Sequence, residues 1–171
     1  MKSQARKPVF KQRRMFALLG LAGLGMLGSP IIGLPQVSKP RVEVWKSPTC
    51  GCCAEWVKHL ENNGFQVQSY DTGNTSKRVE LGMPQKYASC HTALINGYVL
   101  EGHVPPREIQ RLLRERPIAL GLAVPEMPIG SPGMDGPEYG GQQDPFEVLL
   151  IQKTGKASVF AAYGKPKKSS I

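Results

Sequence analysis

No aspartate or glutamate precedes Glu43, whereas Lys2, Arg6, Lys7, Lys11, Arg13 and Arg14 all do. The net charge of +9 is therefore mostly the property of one segment, six of those charges lying in it, with Lys165, Lys167 and Lys168 adding a basic tail. Aromatic residues are few, 7% of the chain, and beyond the leader no basic stripe is interleaved with them. That combination excludes a nucleic-acid interface, which needs clustered cations on a folded face and stacking partners. No internal repeat occurs, so the chain is not built as a repeat array. Cysteine is scarce, four residues in 171. A globular part spanning 41–163 is long enough to bury a core without disulfide staples, which leaves those four free for function.

What the leader does contain is a basic stretch followed by fourteen uncharged, largely apolar residues from Met15 to Gly28, then Ser29-Pro30. This is the charged region and apolar region of an export signal, assigned to residues 1–34. The junction Arg13-Arg14-Met15-Phe16 resembles a twin-arginine signal, with the general secretory route as the alternative. No A-x-A cleavage site is present, and the near-apolar stretch runs to Pro35, so an uncleaved membrane anchor is the other outcome. The reading is export to the bacterial periplasm, where unprotected thiols tend to oxidise. Contact with membrane is expected only through this segment.

After a Pro- and Ser-containing linker at 35–40, residues 41–163 read as one α/β domain. Arg41 to Trp45 alternates as a strand, and Ser47 to Gly51 makes a turn into a helix reaching about Asn63. Cys53, Trp56, Val57 and Leu60 recur at helical spacing and form its buried stripe. Phe65 to Tyr70 alternates again, and a short helix is expected before Met83-Pro84. Asn96-Gly97 between two apolar runs is a two-residue hairpin signal, and Pro105-Pro106 opens a further helix. Gly121 to Pro145 reads as a loop of about 25 residues rich in Gly and Pro, longer than a compact domain tolerates without a reason. Phe146 to Gln152 and Ala157 to Tyr163 close the domain as an added C-terminal hairpin, before the basic tail at 164–171. This order of elements is that of a thioredoxin-like mixed sheet flanked by helices.

The four cysteines stand in two clusters: Cys50-Gly51-Cys52-Cys53, and Cys90 followed by His91. Adjacent Cys52 and Cys53 are poorly placed to bond to each other. The first cluster falls at a helix start, whose partial positive charge favours thiolates for metal binding or thiol–disulfide exchange. Cys50 and Cys53 have the spacing of a redox dithiol, but a third thiol between them would scramble its disulfide. In a thioredoxin-like core the segment Ser89-Cys90-His91-Thr92 approaches that same helix start and brings a fourth sulfur. Thiolates and thioethers select Cu(I), and bridging thiolates hold more than one ion. Met127 and Met134 lie in the long loop outside any periodicity and are candidate thioether ligands, with the loop folding over the thiolates. His91 and His103 are candidate imidazole ligands; His59, mid-helix beside Lys58, reads as solvated. Ordinary disulfides, or one zinc ion on four sulfurs, are the alternatives.

The segments Val44 to Cys53, Ser89 to Ala93, Gly97 to Pro105 and Gly121 to Met134 resemble the CopG-type family, exported bacterial metal-binding proteins linked to copper resistance. The resemblance covers about residues 41–163. It implies a thioredoxin-like fold, a periplasmic location, and copper held by Cys50, Cys52, Cys53 and Cys90, with the loop methionines and two histidines as further ligands. The expected function is sequestration of Cu(I), in contact with other periplasmic copper-handling proteins. The alternative is a thiol or copper oxidoreductase.

Overall fold

The computed structural model describes residues 38–164; the export-signal expectation and the basic tail beyond residue 164 lie outside them. Among the described residues no helix is long and apolar enough to cross a membrane.

Among the described residues the chain forms a mixed α/β structure in which seven strands make one mixed sheet. In chain order these are β1 (Arg41–Lys46), α1 (Gly51–Asn62), β2 (Gln66–Tyr70), α2 (Thr75–Glu80), β3 (His91–Ile95), β4 (Tyr98–Glu101), α3 (Pro106–Glu115), β5 (Gly121–Ala123), β6 (Phe146–Ile151) and β7 (Ala157–Tyr163). The sheet order is β2-β1-β3-β4-β5-β6-β7. β1 pairs in parallel with β2, and β4 with β5; the other neighbours are antiparallel.

Alternation explains β1. Val42 and Val44 are fully buried, while Glu43 and Trp45 point to the other face. The stripe on α1 buries Cys53, Trp56 and Leu60, and Glu55, Lys58 and Glu61 face water. α3 begins at Pro106, whose missing N–H costs nothing in a first turn, and buries Ile109 and Leu112. These side chains meet Ala93, Ile95, Leu100 and Leu122 of the sheet in one apolar core. Burying each of the larger aliphatic side chains is worth about 1.5–3 kcal/mol.

One expectation needs correcting. The stretch from Gly121 is not loop throughout. Gly121–Ala123 is a fully buried strand that bridges β4 and β6 and extends the sheet without a break. Three apolar or small residues carry no alternation, since both faces are covered. The loop proper therefore starts at Val124.

Topology decides where the chemistry lies. Lys46 at the end of β1 stands opposite His91 at the start of β3. Thr92 is paired with Glu101 at the end of β4, and Glu101 with Ala123 at the end of β5. The end of β1, the start of β3 and the ends of β4 and β5 therefore meet at one end of the sheet. There β1, β4 and β5 hand the chain to connecting segments, and β3 receives it from Cys90.

Candidate metal centre

The first of those segments is the turn after β1. Cys50 caps α1 without a side-chain hydrogen bond, and Cys52 and Cys53 lie in the helix's first turn. Successive residues on a helix diverge by about 100°, so Cys52 and Cys53 face different ways. Cys53 turns inward, fully buried, with Sγ 3.7 Å from the Cys90 carbonyl oxygen. Cys52 turns toward β3, its Sγ 4.0 Å from Cys90 Sγ and 3.5 Å from Cys50 Sγ.

Cys50 and Cys53 are joined as a disulfide, their Cα atoms 5.4 Å apart, whereas Cys52 and Cys90 are free. Of the four sulfurs expected as ligands, two are thus bonded to each other and two are free in this structure. One helical turn sets residues three apart at disulfide distance, and the intervening thiol points elsewhere.

The second segment brings imidazoles. Cys90 Sγ lies 3.3 Å from His91 Nδ1 and 3.1 Å from His103 Nε2. His103 Nδ1 donates to the Pro132 carbonyl at 2.8 Å. That bond fixes the tautomer and leaves the Nε2 lone pair facing the sulfur, the arrangement in which an imidazole ligates. Both rings are fully buried. Burial holds His91 well below the ordinary histidine range, helped by the neighbouring His103, and burial likewise lowers His103. Both are neutral and so can offer lone pairs. The Cys90 thiol is pushed up to about 12, first by burial and then by the nearby Cys52.

The six expected residues Cys50, Cys52, Cys53, Cys90, His91 and His103 are thus brought together. The four sulfurs form one group and Cys90, His91 and His103 a second, with donor atoms inside each group within 4.8 Å of one another. Soft sulfur and imidazole donors without carboxylate suit a thiophilic ion. His91 turns Nδ1 to the Cys90 sulfur, and its Nε2 is buried with no hydrogen-bond partner among the described residues.

The two methionines are placed differently. Met127 is 48% exposed. Met134 is half-buried, and its Sδ accepts from the Tyr139 hydroxyl at 3.3 Å. What seats the loop on the site is its backbone. Gly133 has φ +87°, and a Cβ there would stand 2.5 Å from the Cys52 carbonyl and 2.8 Å from Trp56 N. Asp135 Oδ1 accepts from Gly133 N at 3.0 Å and meets His59 Nε2 at 3.1 Å. His59 is therefore a loop contact rather than a solvated bystander.

Trp56, expected on the buried stripe of α1, lays its ring 4.3 Å from that of His91 and donates Nε1–H to the Val104 carbonyl. Glu101 and Lys46 were not foreseen at the site. Buried Glu101 supports the Cys90 segment from beneath. Its Oε1 accepts from Ser89 N at 2.7 Å and Arg78 Nη1 at 3.3 Å, and its Oε2 from Thr92 Oγ1 at 2.6 Å. A carboxylate closing an otherwise apolar Val99-Leu100 run was the available signal. Lys46 is buried beside His91 and pairs with Asp71 at 2.6 Å.

Residues 87–134 match the family described as a protein of unknown function, DUF411. No curated protein matches the chain. Two solved structures do, described as copper resistance protein copG in its form 1 and form 2. Each is 43% identical, with a TM-score of 0.68, over 74% of this chain and 99% of the other. Those relatives are aligned over nearly their whole length, at an identity that leaves no room for coincidence of fold alone. The chain belongs to the CopG copper-resistance protein family.

Proposed function

We propose that this chain is an exported copper-binding protein that sequesters Cu(I) in the periplasm as a multinuclear cysteine–thiolate cluster, and so contributes to copper resistance. The observation that carries the reading is the convergence of sulfur from two stretches 37 residues apart in sequence, Cys53 and Cys90, with His103 Nε2 alongside. The copper-resistance description of the two relatives supports the choice of metal. The basic, acid-free leader supports export. The order β2-β1-β3-β4, with α1 linking the two parallel strands and α3 following β4, supports a thioredoxin-like core with β6 and β7 added beyond β5.

The reduced chain offers four sulfurs, and each thiolate can bridge two ions, which gives a cluster its high capacity and its selection for soft cations. Uptake displaces the Cys90 proton, since a ligating sulfur must be thiolate. Neutral His91 and His103 complete the donor set. Capping by Met127 and Met134 belongs to the same proposal and requires the loop to turn those side chains inward, Met127 from its 48% exposure. Other periplasmic copper-handling proteins are the expected source and destination of the ions.

The test is anaerobic purification of the reduced full chain, with copper content and free thiols counted on one sample. Several thiols are expected to be protected together until a Cu(I) chelator is added. Cys52→Ser is expected to lower copper stoichiometry while circular dichroism stays unchanged; unaltered copper content would remove Cys52 from the site.

A second reading, a thiol or copper oxidoreductase, is favoured by the Cys50–Cys53 bond. It expects a reversible two-thiol change in metal-free glutathione buffers, a change that a purely metal-holding cluster would not need.

A further inference from the structure

The sheet has a second end, away from the cysteines, with a chemistry of its own. β1 starts there, where Gln66 N donates to the Pro40 carbonyl, and β3 turns into β4 there through Asn96-Gly97. The turn from β6 to β7 lies at the same end, as does the finish of α3 in Arg116, Pro117 and Ile118. These segments enclose a cavity of about 630 Å³, walled by Tyr98, Leu113 and Pro117 and flanked by Arg116 and Lys153, both exposed. Among the described residues no carboxylate lines it.

Three features set this end apart from ordinary surface. Ile118, on the cavity wall, is 89% exposed, more than any other large apolar side chain among the described residues. Arg116 caps α3 at φ +48°, a left-handed conformation in which glycine or asparagine is usual, so a cation is kept there against the preference of its backbone. The other end carries the opposite sign, since Glu55, Asp135 and Glu138 line the hollow beside the long loop. The chain before the described residues also joins the domain at the Arg116 end, through Ser38, ahead of β1. Its apolar run stops at Gly28, ten residues earlier. Ten residues span at most about 35 Å.

We propose that this end of the molecule docks on an anionic phospholipid surface. Ile118 enters the headgroup layer, Arg116 and Lys153 meet lipid phosphates, and the cysteine end faces away from the bilayer. The proposal rests on the reading of the chain as exported, and not on what the metal centre holds. An isoleucine flanked by cations is the combination that such an interface takes up, apolar burial and charge acting together. Each cation near an anionic leaflet multiplies the docked-to-undocked ratio by about five.

The experiment uses the metal-free full chain with Trp45→Phe, bound to vesicles of phosphatidylglycerol and phosphatidylcholine brominated near the headgroup. Ile118→Trp reports one end, and Gln142→Trp, at an exposed position of the long loop, reports the other. Circular dichroism checks that both variants fold. Emission from residue 118 is expected to shift to the blue and to be quenched by bromine, and that from residue 142 to stay unchanged. Vesicles of phosphatidylcholine alone, or 0.5 M salt, are expected to abolish the quenching, because the attraction is screened within a few ångströms at such ionic strength. Adding Arg116→Gln and Lys153→Gln is expected to lower the docked-to-undocked ratio about 25-fold. Neutralising Lys165, Lys167 and Lys168 to glutamine is expected to leave it unchanged, which separates this end from the basic tail. Residue 118 unquenched on anionic vesicles, equal quenching on neutral ones, or a double variant that docks as well overturns the proposal. Copper content of the same preparations after loading keeps the two ideas apart. Full loading with residue 118 unquenched sinks the docking alone, and quenching without loading sinks the copper reading alone.

Discussion

At Cys90 the protein sets a thiol in a place that does not favour its anion, with burial and the neighbouring Cys52 pushing it up to about 12. Throughout the physiological range the free side chain is therefore protonated, and a metal must expel that proton. Apparent copper affinity is expected to rise with pH, by about tenfold per unit for each proton released, across the span from about pH 6 to 8. Chelator competition at fixed ionic strength measures it, and a flat profile would show that Cys90 does not ligate. Glu101 carries a different load. Deleting it in Glu101→Ala strands Arg78, Ser89 N–H and Thr92 together, and is expected to cost about 3–5 kcal/mol in urea unfolding of the metal-free chain. Glu101→Gln keeps an acceptor but loses the ion pair, with an expected cost of about 1–3 kcal/mol. The cysteines and histidines were legible because sulfur clustered at a helix start is a rare pattern that has few uses. The Glu101 network was not, because nothing in a strand carboxylate names a partner 23 residues upstream. The pairing of Cys50 with Cys53 stood in the sequence as one alternative among several, for spacing alone does not choose between a bond and a shared ion.

Between residues and molecule stand the elements, and their legibility followed periodicity. α1 was readable from four apolar positions on one face, and the hairpin of β3 and β4 from Asn96-Gly97. β5 was hidden, because a three-residue strand buried on both faces shows no period. The long loop was recognised but its mode of attachment was not. The reading placed the burden on Met127 and Met134, while the contacts run through Pro132, Gly133 and Asp135. A close approach of backbone to helix leaves only a glycine as its trace, and this chain has 19 of them. Gly133→Ala tests the attachment. The positive φ and the nearness of the Cys52 carbonyl predict a loss of roughly 1–3 kcal/mol. Faster proteolysis within residues 128–142, and faster loss of copper to a chelator, are expected to accompany it.

At the scale of the whole sheet, one end collects the termini of four strands, and the apolar core lies behind it. The sheet and the core are built from residues 38–164, so a chain that starts at residue 38 is expected to fold and to bind the same copper per molecule as the full chain, by elemental analysis. Trp56 belongs to both regions, fully buried in the core yet 4.3 Å from His91. Trp45 instead stacks on Tyr70 beneath Lys77. The protein therefore carries its own optical gauge of occupancy: indole emission from Trp56 is expected to be quenched stepwise as ions arrive, and to remain so in Trp45→Phe.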